Sequence, residues 1–105
     1  MNKRCGWLLG LLITCSTATL AAGQAVKVIS PDRFTLQAGD LSLGLSQDWR
    51  QPLPQVTRAL IIVHGRLRNA QTYLKSAEAA AAHAGQSANT LVIAPQFLND
   101  ADVQR

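Results

Sequence analysis

The chain has 105 residues and a formal net charge of +4 at neutral pH, which allows one small domain at most. Its basic residues are scattered among acidic ones and form no stripe with aromatic side chains, so the composition argues against nucleic-acid binding. Both cysteines, Cys5 and Cys15, lie near the N-terminus, so the chain that follows them can form neither a disulfide nor a thiolate metal site.

Residues 1–23 have the three-part pattern of a secretory signal peptide. Lys3 and Arg4 give a positive start, an apolar stretch begins at Trp7, and small residues occupy positions 21–23. The apolar stretch is too short and too interrupted for a membrane-spanning helix. We therefore expect a secreted or periplasmic protein whose mature part is residues 24–105. A buried N-terminal helix is the alternative interpretation.

Cys15 leaves a second kind of export signal open. The sequence LITC places this cysteine after a short apolar run, where lipidation would anchor the protein to a membrane. The residue before such a cysteine is usually Gly, Ala or Ser, and Thr14 fits that pattern poorly. Unless Cys15 is lipidated, we expect no membrane association after the signal is removed.

Three short apolar segments open the mature part, at residues 26–29, 33–37 and 41–45. The second and third alternate apolar and polar residues, which is typical of half-buried strands, and turn-forming residues separate all three. Gly44 predicts a bulge or bend within the third segment. Together these segments predict a small antiparallel meander.

Residues 59–94 predict a β-α-β unit. Two continuous apolar runs, 59–63 and 91–94, are typical of strands buried on both faces of a parallel sheet, and Pro95 is expected to stop the second. Apolar residues at helical spacing between them predict a helix over 69–84, with Asn69 as its N-cap and Gly85 ending it. A crossover of this kind joins parallel strands, so the predicted fold class is α/β.

A single helix leaves this sheet only partly covered. A parallel sheet needs helices on both faces, and an uncovered apolar face is an interaction site or an aggregation hazard. Either a partner covers the open face or the rest of the same domain is missing. The second explanation is the preferred one, so we expect residues 24–105 to be an incomplete domain.

The junction between the first apolar run and His64-Gly65 is the most informative feature. In α/β proteins the carboxyl ends of the parallel strands open over the ligand-binding crevice. Gly65 lets the backbone turn sharply, so the following amides can donate to a developing negative oxygen. The segment RALIIVHGRLRNAQTYL, followed by NTLVIAPQF, resembles the α/β-hydrolase family over about residues 57–98. The alternative interpretation of His64-Gly65 is an ordinary strand-to-loop exit.

The resemblance implies a partial α/β-hydrolase-like fold, with N-terminal antiparallel strands followed by one β-α-β unit of a parallel sheet. It implies that the backbone amide of Arg66, or less favourably that of Leu67, belongs to an oxyanion hole. His64 and Gly65 would shape this loop, so the family assigns His64 a structural role and not that of the catalytic base.

The resemblance also implies that Gln96 and Phe97, which follow the second apolar run, border the substrate entrance. The chain departs from the family at the nucleophile, which sits there in Gly-x-Ser-x-Gly between a strand and a helix. No such motif occurs in the chain, and no late aspartate and histidine follow. Hydrolysis by this chain alone is not expected, because acyl transfer needs a nucleophile and its base.

Three functional hypotheses follow. The preferred one is the N-terminal part of an exported serine hydrolase or esterase whose full-length form acts, without a cofactor, on a small ester- or amide-type substrate. The second is a non-catalytic exported module that docks its open sheet face on a partner subunit, and the third is a truncated product that does not fold. No metal-ligand spacing or phosphate-binding glycine motif suggests another chemistry.

Overall fold

The computed structural model describes residues 24–103, so the predicted signal peptide and the lipid site at Cys15 fall outside the described residues. The elements are β1 (Asp32–Leu36), β2 (Gly39–Leu45), β3 (Arg58–Ile61), α1 (Ala70–His83), β4 (Thr90–Gln96) and α2 (Asp100–Val103). A mixed four-stranded sheet with helices confirms the α/β class.

The strands lie in the order β1-β2-β4-β3. β1 and β2 form an antiparallel hairpin, β2 also pairs antiparallel with β4, and β3 pairs parallel with β4. Because α1 connects β3 to β4, the predicted crossover between parallel strands is confirmed. Ile93 of β4 pairs with Leu45 on one side and Ile61 on the other, so β4 is a central strand of the sheet.

The predicted first strand of the meander, residues 26–29, is wrong. This segment has no strand structure, and side chains bond to the backbone near its end instead. The Ser30 amide donates to Gln96 Oε1 at 2.7 Å, and Gln96 Nε2 donates to the Val28 carbonyl at 3.0 Å. Since one buried side chain bonds both groups, the segment can lie against the domain without a strand partner.

Gly44 serves helix packing, so the predicted bulge or bend is also wrong. It pairs in regular register with Ala94. A Cβ atom at position 44 would lie 2.9 Å from Leu74 Cδ2 and 3.3 Å from Gln71 Nε2. Contacts under 3.0 Å exceed what packing tolerates, so the glycine is what lets α1 approach the sheet so closely.

Helix α1 begins and ends within one residue of the predicted bounds. Gly85 has a φ of 68°, and the amides of Gly85 and Gln86 donate to carbonyls of the last turn at 3.0 and 2.8 Å, which is a Schellman motif. Asn69 occupies the N-cap position but its side chain makes no capping hydrogen bond. Its ψ of 61° is not the β-region backbone that such a bond requires.

Strand β4 continues through Pro95, which was predicted to stop it. The Ile62 amide donates to the Ile93 carbonyl at 2.9 Å, and β3 pairs with β4 no further along the chain. Along a strand, residues two positions apart direct their backbone groups to the same neighbouring strand. Pro95 therefore faces the β3 side, as Ile93 does, and it lies past the point where β3 has ended, so its missing N–H leaves no bond unmade. A proline is tolerated in a strand where no ladder donor is needed.

The core lies between α1 and β4. Ala70, Leu74 and Ala77 of α1 pack against Val92 and Ala94 of β4. Burial along β4 is nearly continuous, as predicted for a strand between two layers. Within residues 24–103, no helix combines the length and the apolar character needed to cross a membrane.

Strand β3 is exposed at all four positions, although its apolar sequence predicts burial on both faces. Leu60 and Ile61 are 41% and 63% exposed, and Val63, just past the strand, is 54% exposed. The cause is topological, because β3 is an edge strand and α1 packs on β4 and β2. Ile62 packs against the core, whereas Leu60, Ile61 and Val63 form a surface that nothing in the described chain covers.

Candidate functional site

The loop between β3 and α1 carries the predicted oxyanion residues at its tip. The Arg68 amide donates to the Gly65 carbonyl at 3.1 Å, which closes a four-residue turn with Arg66 and Leu67 in its two central positions. Both residues are exposed. In the part of the chain that the structure describes, neither of their backbone amides donates to a protein acceptor. Two adjacent N–H groups are therefore available to a ligand oxygen.

His64 connects this loop to the end of β4. Its Nε2 atom lies 2.9 Å from the Phe97 amide nitrogen, and its Nδ1 atom lies 2.6 Å from the Gly65 carbonyl oxygen. A neutral ring protonated on Nδ1 satisfies both contacts, accepting from the Phe97 N–H and donating to the carbonyl. The His64 and Phe97 rings also lie 5.8 Å apart at 59°. His64 thereby joins the two loops at the carboxyl ends of neighbouring parallel strands.

The backbone turn of this loop depends on Arg68 and not on Gly65. Arg68 has a φ of 54°, the only positive φ of a non-glycine residue within 24–103, whereas Gly65 has no positive φ. An added Cβ at Gly65 would lie 3.4 Å from Tyr73 Oη, an ordinary contact distance. A left-handed backbone is uncommon for a residue with a side chain, so the surroundings must hold Arg68 in place.

Asp102 holds the side chain of Arg68. The Arg68 Nε atom lies 2.7 Å from Asp102 Oδ2 and its second guanidinium nitrogen lies 3.2 Å from Oδ1. The Asp102 side chain is fully buried and also accepts from the amides of Val26 and Asn99 at 2.7 and 2.9 Å. The Arg68 hydrogen bond, helped by these amides against the effect of burial, lowers the pKa of Asp102 to about 2.

The Asp102 contact is a feature that the sequence reasoning missed. Asp102 is the third residue of α2, its carboxylate accepts from the Asn99 amide, and Asn99 Oδ1 accepts from the Asp102 amide at 3.2 Å. This reciprocal arrangement is a capping box with asparagine and aspartate in place of the usual residues. The pattern Asn-x-x-Asp is readable in the sequence, but the arginine partner 34 residues earlier is not.

Gln96, predicted to border the substrate entrance, is instead an interior residue with 1% of its surface exposed. Besides its contacts with Ser30 and Val28, its Nε2 atom donates to the Arg68 carbonyl at 2.7 Å. Phe97, the other predicted entrance residue, is 52% exposed at the end of β4 beside His64. The two neighbours point to opposite sides because side chains alternate along an extended chain.

No complete catalytic constellation occurs within residues 24–103. The serine hydroxyls there make no hydrogen bond to a histidine, and Ser46 Oγ instead accepts from the Val92 amide at 2.8 Å. The same residues contain no group of three or more His, Cys, Asp or Glu side chains placed to hold a metal ion.

Comparisons of the chain with protein-family models, with curated proteins and with solved structures each found no match.

Proposed function

We propose that this chain is the N-terminal part of an exported α/β-hydrolase-like protein, and that the loop 64–68 contributes to the oxyanion hole of a serine hydrolase or esterase. The observation that carries the proposal is the pair of free amides at Arg66 and Leu67, in a turn of the loop that joins the parallel strand β3 to α1. In α/β-hydrolases an amide of the loop between the third strand and the first helix fills this role.

In the proposed reaction the amide of Arg66, assisted by that of Leu67, donates to the oxygen that becomes negative when a nucleophile attacks an ester or amide carbonyl. Such donors act best when they are held in place before the reaction, since no reorganisation is then needed. Three contacts hold this loop: the Gly65–Arg68 turn, the His64 bridge to Phe97, and the buried Arg68–Asp102 pair.

The nucleophile and its general base would come from other parts of the parent protein, because acyl transfer requires both. The exposed edge of β3 supports the proposal that further parts of the parent protein complete the sheet and the site. Its backbone and its exposed Leu60 and Ile61 side chains offer a place for a further strand of the same sheet. The same exposed edge also favours the second candidate, an exported module that docks on a partner subunit.

The first test is the intact mass of the exported protein isolated from its source, combined with labelling by a fluorophosphonate that modifies activated serines. A mass well above that of residues 24–105, with a labelled serine, is the expected result. A mass equal to the short mature chain, without labelling, would contradict the hydrolase proposal. Co-purification of that short chain with a subunit at fixed stoichiometry would support the docking module.

The oxyanion role of the loop has its own test. Arg66→Pro removes the backbone donor, and proline suits the second position of a four-residue turn. Arg66→Ala keeps the donor and serves as the matched control. Loss of an oxyanion donor lowers kcat about 100- to 1,000-fold, so only the proline variant of the labelled parent enzyme should lose activity. Equal activity of the two variants would exclude the Arg66 amide from the site.

A further inference from the structure

A groove of about 940 Å³ runs beside the loop of the proposed oxyanion hole. One wall is the segment 24–28, which has no regular secondary structure and bends at Lys27, and the other is formed by residues 66–69 with the first turn of α1. The segment 24–28 is held there by the Ser30 and Val28 bonds to Gln96 and by the Val26 bond to Asp102. The groove is therefore defined by ordered walls on both sides.

The charged side chains of the groove are all basic. Lys27 lies on one wall and Arg66 and Arg68 on the other, and no aspartate or glutamate lines it. The charge of Arg68 is compensated by its ion pair with the buried Asp102, which does not line the groove. In the part of the chain that the structure describes, Lys27 and Arg66 have no acidic partner within ion-pair distance. The groove thus has two uncompensated positive charges on opposite walls.

The uncharged lining of the groove combines four polar residues (Gln24, Asn69, Gln71 and Thr72) with four apolar ones (Ala25, Val26, Val28 and Leu67). Val28 and Leu67 line it and are 59% and 67% exposed, while Val26 is nearly buried beneath them. Exposed side chains of this size in a concave surface are typical of ligand-binding sites and are unfavourable in contact with water. A ligand that covers these side chains and meets two cations needs both an apolar part and an anionic group.

We propose that this groove binds a small amphiphilic anion, with a carboxylate or phosphate group between Lys27 and Arg66 and an alkyl or aryl part against Val28 and Leu67. The inference goes beyond the proposed hydrolase function, because this binding uses side chains of the groove and requires no nucleophile. The shared chemistry is a single negative group on an apolar body, which both a free carboxylic acid and a phosphate monoester provide.

The test is a titration of the isotope-labelled exported protein, followed by backbone amide NMR shifts, with octanoate, octyl phosphate and the neutral octanamide. The anions should shift the amides of residues 24–28 and 66–72 and bind more tightly than octanamide. Lys27→Gln combined with Arg66→Gln should weaken anion binding about tenfold, as expected for two exposed charge contacts, and leave octanamide unchanged. Lys75→Gln, which removes an exposed charge of α1 outside the groove, should change neither.

Tighter binding of either anion than of octanamide supports the proposal. The anion that binds more tightly identifies whether the groove prefers a carboxylate or a phosphate. Equal binding of octanamide and the anions, unchanged affinity in the double variant, or shifts confined to the exposed β3 edge would overturn it. Leu67→Ser should weaken all three ligands, which tests the apolar wall separately. A protein that labels with the fluorophosphonate but does not bind these anions would refute the groove and leave the hydrolase proposal standing.

Discussion

Gln96 joins three parts of the domain, so its replacement by leucine gives the sharpest test of the fold. The side chain accepts from the Ser30 amide at 2.7 Å and donates to the carbonyls of Val28 and Arg68 at 3.0 and 2.7 Å. Leucine has a similar volume but no polar atom, so all three backbone groups lose their partner. The Ser30 amide belongs to a residue with no exposed surface and cannot turn to water.

The expected loss follows from these three bonds. A buried group left without a partner costs about 1–3 kcal/mol, and a bond that water can replace costs about 1 kcal/mol. Because Val28 is exposed and Arg68 is half-buried, we expect the free energy of unfolding to fall by about 3 kcal/mol in total.

The assay is urea unfolding of the exported protein, with hydrogen exchange of the Ser30 amide as a local measure. Gln86→Leu is the matched control, because Gln86 is half-buried and its Oε1 atom has no hydrogen-bond partner in the described chain. We expect that control not to lower stability, because leucine there removes a buried oxygen that has no hydrogen-bond partner in the described chain. Equal losses for the two variants, or unchanged exchange at Ser30, would refute the reasoning.

Three further predictions concern the helix contact, the buried ion pair and the histidine bridge. Gly44→Ala should lower the free energy of unfolding by about 1–3 kcal/mol, because the added Cβ would clash with Leu74. In urea unfolding, Leu74→Ala should cost less in the Gly44→Ala protein than in the parent, and additive losses would contradict the close contact. Arg68 holds the pKa of Asp102 at about 2, below its unfolded value, so the ion pair stabilises the fold above about pH 4 and loses this effect as the pH falls toward 2. Unfolding free energies measured from about pH 2 to 6 should therefore depend less on acid in Asp102→Asn than in the parent, and an unchanged slope would argue against the pair. His64→Ala should accelerate hydrogen exchange of the Phe97 amide, because it removes the acceptor of that amide. His64→Gln places an acceptor near the position of Nε2 and should retain much of the protection. Equal acceleration in both variants would show that the hydrogen bond to His64 does not protect the Phe97 amide.

The order of elements was readable from local patterns because each pattern has a short-range physical cause. The apolar face of α1 and the glycine after it predict a helix of the observed length, since a glycine with positive φ satisfies the last carbonyls without strain. The crossover rule then makes β3 and β4 parallel, as observed. The position of the loop that contains Arg66 and Leu67 follows from the same placement, because this loop joins the end of β3 to α1.

The failures of prediction share a long-range cause. Residues 26–29 have a strand-like composition, but their backbone bonds go to side chains far along the chain. The Val28 carbonyl accepts from Gln96, 68 residues away, and the Val26 amide donates to Asp102, 76 residues away. Pro95 usually ends a strand, yet it remains in β4 because β3 has already ended on that side. Neither outcome depends on the local residues alone, so no local pattern predicts it.

The sequence by itself determined the fold class and the helix with its end, because these depend on spacing, backbone preference and residue type within a few positions. Only the tertiary structure decided that β3 is an exposed edge, that Gln96 is an interior residue, and that Asp102 holds Arg68 in a left-handed backbone. The physical reason is that burial and ion pairing depend on which distant segments meet. That meeting is set by the packing of α1 on the sheet and by the bonds that join segment 24–30 to β4 and α2.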